Sequence, residues 1–281
     1  MPRFARYIGV DYSGAETPES SLRGLRTFIA CAELDPVEHL PPPSPRKHWT
    51  RRGLAEWLLS ELQRDTPTLV GIDHGFSFPL RYFEQHQIPT VWDRFLEDFH
   101  AHWPTDQPHC YVDFVLDGSR GRGQERLGNA KWRRLTEQHT RGAKSVFHFH
   151  VQGSVAKSTH AGIPWLHVLR RQLGPRVHFW PFDGWIPPAG ISVVAEVYPA
   201  LWNKSVPQTG RDPHQHDAFC TALALRRADH SPLLEQWLQP ALKPSEQTIA
   251  RVEGWILGVE RQADEAAGAS RRPHTHAKGQ F

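Results

Sequence analysis

The most constraining feature of this 281-residue sequence is the order strand, helix, strand near its N-terminus. Residues 6–11 (RYIGVD) and 68–73 (TLVGID) are short apolar segments rich in β-branched side chains, which indicates strands. Between them, leucines and a tryptophan recur at helical spacing after Thr50, a residue suited to cap a helix, and Pro67 ends the helical pattern. The order predicts two parallel strands, each of which ends in an aspartate.

The remaining segments extend this alternation and predict an α/β fold. Residues 27–33 follow a turn-rich stretch, so we expect them to form a hairpin with the first strand. A proline-rich loop is predicted at 36–45, further strands at 176–182 and 192–198, and helices at 93–103, 164–173, 214–227 and 245–260. In the helix predicted at 164–173, Pro164 is expected to occupy the first helical turn, where its missing N–H costs little.

Composition limits the class of protein. Hydrophobic residues make up 39% and charged residues 22%, enough apolar surface for a core. No run approaches the roughly 20 apolar residues that span a bilayer, and the N-terminus does not resemble a secretory signal. Three scattered cysteines are too few for a disulfide framework. We expect a cytoplasmic protein without membrane contact and with reduced cysteines, in which residues 1–267 form one domain and 268–281 a disordered tail.

Four acidic residues lie where elements end or begin, so their side chains can converge although they are distant in sequence. Asp11 and Asp73 end strands, Glu196 lies late in another, and Asp217 lies early in a helix. Clustered carboxylates suit two Mg²⁺ or Mn²⁺ ions. Asp11 is the candidate to bridge both ions, Asp73 and Asp217 would hold one each, and Glu196 could complete the set of ligands or orient water.

Each acid also has a structural alternative. A strand-end aspartate often caps the next turn, and Asp217 could stabilise the start of its helix. Glu196 could be a buried hydrogen-bond acceptor. His214 is three residues before Asp217 and can share its helix face, so we expect it either to support a metal-binding acid by a hydrogen bond or to transfer a proton. His216 is expected to be structural.

The middle third of the chain is strongly basic. Residues 118–145 contain eight Lys and Arg against two Glu, and the region shows no clear periodicity. We interpret residues 104–160 as a basic insertion whose cations follow a phosphate backbone and whose tryptophan stacks on a base, the alternative being a solvated surface loop. The predicted substrate contacts are Arg120, Arg122, Lys131, Trp132, Arg133 and Arg134. Lys157 in GSVAKST is added to them, although Ala156 breaks the P-loop pattern.

Four motifs in this order carry a family resemblance: IGVDYSGA, GIDHGFSFP, AEVYPALW and HQHDAFCTALA. The chain resembles a domain-of-unknown-function family described as predicted RNase H-like nucleases. The resemblance implies an RNase H-like mixed sheet flanked by helices. It also implies that Asp11, Asp73 and Asp217 meet around divalent metal, as in RuvC-type resolvases. Glu196 matches the E-x-Y-P pattern of that family.

These observations predict a divalent-metal-dependent phosphodiester hydrolase that acts on DNA or RNA. Two alternatives remain open. Asp11-Tyr-Ser-Gly and Asp73-His-Gly partly resemble the phosphate loops of actin-like and sugar-kinase-like proteins, which would make the chain an ATPase or ATP-dependent phosphotransferase. A nucleic-acid-binding module without turnover is the other alternative.

Overall fold

The computed structural model describes residues 2–43 and 45–262. Its centre is a mixed six-stranded sheet in the order β3-β2-β1-β4-β6-β5. The strands are β1 (Arg6–Asp11), β2 (Arg26–Cys31), β3 (Leu34–Glu38), β4 (Thr68–Asp73), β5 (Val177–Trp180) and β6 (Ser192–Glu196). β1, β4, β6 and β5 run parallel, while β2 pairs antiparallel with both of its neighbours. The predicted α/β class and mixed sheet are confirmed, and the predicted tail 268–281 lies outside the described residues.

Helices cover both faces of the sheet. They are α1 (Arg51–Leu62), α2 (Leu80–His86), α3 (Trp92–His102), α4 (Val112–Leu116), α5 (Leu135–His139), α6 (Ala156–Leu173), α7 (Pro213–Asp229), α8 (Leu233–Leu238) and α9 (Pro244–Glu253). α1, α3 and α6 build one core with the sheet, and α7 and α8 build the core on the opposite face. No helix in the described ranges is long and apolar enough to cross a membrane.

Three predicted element boundaries were wrong. The predicted proline-rich loop contains β3, where Pro36 is tolerated because β3 is an edge strand. α6 begins at Ala156, which puts Pro164 in its interior. The carbonyl of His160, which loses its helical donor to this proline, accepts a hydrogen bond from the Thr105 hydroxyl instead (2.8 Å). The last helix ends at Glu253, because the next residue is a glycine with φ of +80°.

The start of α7 is fixed by two reciprocal hydrogen bonds. Asp212 Oδ1 accepts from the Gln215 backbone N–H, and Gln215 Oε1 accepts from the Asp212 N–H, both at 2.9 Å. Pro213 occupies the first helical position. Asp212 also pairs with Arg26 of β2 (3.0 Å), so the capped end of α7 is attached to the sheet.

Two paired glycines let α7 lie directly on the sheet. Gly9 of β1 and Gly71 of β4 are register partners. A Cβ at Gly9 would lie 2.3 Å from the Ala218 carbonyl oxygen, and one at Gly71 would lie 3.0 Å from the Thr221 methyl group. Because side chains alternate along a strand, these glycines share a face with the residues two positions later, Asp11 and Asp73. Because glycine has no side chain, α7 can pack against the sheet close to the two acids.

Replacing Gly9 by alanine should force α7 away from the sheet. We expect Gly9→Ala to lower the free energy of unfolding by about 1–3 kcal/mol, as for other overpacked sites. The control is Gly53→Ala in α1, where the nearest atom to the new methyl is the Thr50 hydroxyl at 3.1 Å. That variant should change stability by less than about 1 kcal/mol. Urea denaturation measures both, and equal effects would contradict the packing argument.

Candidate active site

Asp11 and Asp73 lie side by side at the carboxyl ends of adjacent parallel strands. They are register partners, so their side chains emerge on the same face of the sheet, the face that α7 covers. Asp217, in the second turn of α7, acts electrostatically on both of them. Three predicted metal ligands from β1, β4 and α7 are therefore brought together.

Asp73 carries the least compensated charge of the three acids. Burial raises its pKa well above the usual range, and the negative charges of Asp11, Asp217 and Glu196 raise it further. No described residue donates a hydrogen bond to the Asp73 carboxylate. Such oxygens are costly in the absence of a cation and are suited to bind one.

Asp11 is held by the predicted proton-transfer residue. His214 Nδ1 lies 2.6 Å from Asp11 Oδ2, and the imidazole is about half exposed while the carboxylate is buried. Burial raises the pKa of Asp11 to about 6, although the hydrogen bond with His214 opposes the increase. The same hydrogen bond raises the pKa of His214. The pair thus keeps a proton at the edge of the acid cluster near neutral pH.

Asp217 is oriented by a residue that the sequence patterns did not single out. The Asn203 side-chain amide donates to Asp217 Oδ1 at 2.8 Å. Asn203 lies in the loop after β6, close to the AEVYP segment, and no motif signalled its role. The neighbouring His216 is buried and lies 3.0 Å from the Asn203 carbonyl oxygen, in keeping with the structural role expected for it.

Glu196 does not face the other three acids. It is the register partner of Ile72, whose side chain points away from the face of Asp73, so Glu196 emerges on the opposite side of the sheet. There it accepts two hydrogen bonds from Arg134, at 2.6 and 2.7 Å, and one from the Phe76 N–H at 3.1 Å. The geometry corresponds to the alternative of a buried hydrogen-bond acceptor, and both carboxylate oxygens are already bonded.

Arg134, predicted to contact substrate, is instead buried within the protein. Besides Glu196 it binds Glu137, with Nε 2.8 Å from Oε1. Glu253 at the end of α9 joins the group by accepting from the backbone N–H groups of Leu80 and Leu135. The guanidinium fixes α5 against β6 and the turn after β4, and four of its five N–H donors are bonded within the protein.

The other predicted substrate contacts differ in their availability. Arg120, Arg122, Lys131 and Arg133 are exposed, as expected for cations that meet a polyanion. Trp132 is half-buried, packs edge-on against Phe147 and lies under Arg81, which is 5.5 Å from its ring centre. Its ring is therefore partly covered.

Lys157 lies at the start of α6 and pairs with Asp113 at 2.7 Å. Its backbone meets the turn that follows Asp11, because a Cβ at Gly14 would lie 2.1 Å from the Lys157 carbonyl oxygen. The GSVAKST segment thus adjoins the acid cluster through its main chain, while the Lys157 ammonium is engaged by an acid.

No group of three or more His, Cys, Asp or Glu side chains within residues 2–43 and 45–262 is arranged to hold a metal ion in this structure. Asp11 is bonded to His214, Asp217 to Asn203, and Glu196 points to the other face. The three aspartates still provide the hard oxygen donors that Mg²⁺ and Mn²⁺ prefer. Each of the two hydrogen bonds engages one carboxylate oxygen, and no described residue donates to Asp11 Oδ1 or Asp217 Oδ2.

Removing Arg134 should strongly destabilise the protein. Arg134→Met leaves Glu196 and Glu137 buried without their cation, and we expect a loss of about 3–5 kcal/mol in the free energy of unfolding. Arg94→Met is the control, because Arg94 pairs with Glu97 on the surface and its loss should not be measurable. Chemical denaturation of both variants tests this, and a mild effect at Arg134 would contradict it.

Neutralising Asp73 should stabilise the metal-free protein in a pH-dependent way. Its pKa is raised in the folded state, so ionisation opposes folding once the pH exceeds the unfolded value of about 3.9. In EDTA at pH 8, Asp73→Asn should raise the melting temperature by an amount corresponding to about 1 kcal/mol or more. The gain should shrink as the pH falls toward 4, where folded Asp73 is protonated.

The control for this measurement is Asp65→Asn, the same change at an exposed residue before β4, at the opposite end of that strand. It should leave the melting temperature unchanged at both pH values. A stabilisation by Asp73→Asn that did not depend on pH would indicate a packing effect and not relief of charge.

Comparisons with protein-family models, with curated proteins and with solved structures found no match for this chain.

Proposed function

We propose that this protein is a divalent-metal-dependent hydrolase that cleaves phosphodiester bonds of DNA or RNA. The observation that carries the proposal is the meeting of Asp11, Asp73 and Asp217 on one face of the sheet, with the Asp73 oxygens unbonded. The mutual repulsion of these carboxylates is unfavourable in free energy, and bound cations would convert it into attraction. A purely structural cluster would have no need to leave the Asp73 carboxylate without a hydrogen-bond donor among the described residues.

The proposal includes the RNase H-like fold. Support comes from the sheet order β3-β2-β1-β4 with β2 antiparallel, and from acids on the first strand, on the parallel strand beside it and on a late helix. This is the arrangement that the resemblance of the four motifs implies. The same proposal includes a basic insertion in the middle third. It is supported by the structure of residues 103–155, which contain helices of no more than five residues and no strand.

Each residue of the site has a role in this proposal. Asp11, Asp73 and Asp217 would hold Mg²⁺ or Mn²⁺ through their carboxylate oxygens. When bound, such ions lower the pKa of an attacking water and stabilise the charge on the leaving oxygen. His214 holds a proton beside Asp11 and can pass it to a leaving oxygen. Glu196 and Arg134 act indirectly, because they fix β6 and the turn after Asp73.

Cleavage of labelled single-stranded, duplex and branched DNA and RNA tests the proposal. Wild type should cut at least one of them with Mn²⁺ or Mg²⁺ and none in EDTA. Asp11→Asn and Asp73→Asn should each reduce the rate by roughly 10²-fold or more, since a metal ion contributes several kcal/mol of transition-state stabilisation. Asp65→Asn, purified in parallel, should retain the wild-type rate.

Equal cleavage by wild type and Asp11→Asn would identify a contaminating nuclease and end the proposal. ATP hydrolysis without nucleic acid that Asp73→Asn abolishes would favour the actin-like and sugar-kinase-like alternative. Salt-dependent binding without cleavage would favour the passive binding module.

A further inference from the structure

A narrow cleft opens directly beside Asp73 and is not explained by the acid cluster alone. It opens to solvent and has a volume of about 20 Å³. Its walls include Lys144, Gly153, Tyr198 and Ile256, together with Glu137 and Glu196, the two carboxylates that Arg134 binds. Lys144 and Gly153 come from the basic middle third, and Tyr198 follows β6 in the AEVYP segment. The cleft therefore joins the basic region to one of the proposed metal ligands.

Tyr198 presents an unused hydroxyl group to this cleft. No described residue forms a hydrogen bond with its oxygen, although the side chain is half-buried. The oxygen would lie 3.7 Å from a Cβ at Gly142, so the glycine leaves open space in front of it. A phenol among carboxylates stays protonated and serves as a hydrogen-bond donor.

Lys144 supplies the charge that an anion requires. Of the two cationic side chains that line the cleft, Arg134 is consumed by Glu137 and Glu196, whereas Lys144 makes no ion pair with any described residue. Its Nζ donates to the Gln152 carbonyl oxygen, which leaves two of its three donors. Gly153 opposite it has φ of +69°, a conformation that a side chain would strain.

We infer that the Tyr198 hydroxyl and the Lys144 ammonium form a subsite for a phosphate group of the substrate, next to Asp73. The two groups bind its non-bridging oxygens, one by a neutral hydrogen bond and the other by a charged one. This inference rests on the proposed function for its substrate class, a nucleic-acid phosphodiester. It assigns the contact to Lys144, one of the eight cations of the basic region 118–145, and to Tyr198, which the sequence analysis did not single out.

Substitutions of Lys144 and Tyr198 should have different effects on the salt dependence of binding and on the rate of cleavage, and this difference provides the test. Binding of a fluorescein-labelled single-stranded oligonucleotide is measured by anisotropy in EDTA over a series of NaCl concentrations. Lys144→Gln should reduce the slope of log Kd against log salt by about 0.7, the value for one lost phosphate contact on a single strand. Lys144→Arg should restore the slope. Tyr198→Phe should keep the slope, since it removes no charge, and should lower kcat/KM with Mn²⁺ roughly tenfold.

The matched charge control is Arg176→Gln, because Arg176 is exposed before β5, at the far edge of the sheet. Its slope should equal that of wild type. A wild-type slope in Lys144→Gln, or full activity in Tyr198→Phe, would overturn the subsite while leaving the proposed hydrolase intact. Binding that depends on Lys144 in a protein that cleaves nothing would support the subsite and reject the hydrolase. Absence of both binding and cleavage would reject both.

Discussion

The close contact between α7 and the centre of the sheet is the constraint on which the site depends. It exists because Gly9 and Gly71 are opposite one another on β1 and β4 and present no side chain to the helix. Two residues later in each strand comes an aspartate, and α7 contributes the third. The spacing of the acids is therefore set by main-chain contact, which tolerates less variation than contact between flexible side chains.

A second constraint separates the acids into two groups. The negative charges of Asp11, Asp73 and Asp217 repel one another. Glu196, on the other face of the sheet, is neutralised by Arg134. Buried ion pairs of this kind contribute little net stability, but breaking one is costly, so they fix a geometry. Here the fixed geometry is that of β6, α5 and the turn after β4, which surround the Asp73 carboxylate.

The sequence predicted the elements that carry the acids, because aspartates after apolar runs and a helix with regularly placed apolar residues are local signals. A glycine two residues before Asp11 and before Asp73 is a signal that the sequence analysis did not use, and it explains the approach of α7. Two features could not be read locally. The face on which Glu196 emerges depends on the pairing register of β6 with β4, and the burial of Arg134 depends on carboxylates 62 and three residues away. Likewise, Pro164 is accommodated within α6 by Thr105, a contact made by a distant segment.

The contact between Gly14 and the main chain of Lys157 has a further consequence. It leaves no gap between the turn after Asp11 and the first residues of α6, which follow directly on the segment that carries Lys144 and Gly153. A polymer that pushed this segment outward would displace the beginning of α6 and, through it, the turn after the first aspartate. Substrate length and cation affinity would then be thermodynamically linked without any direct contact between polymer and ion.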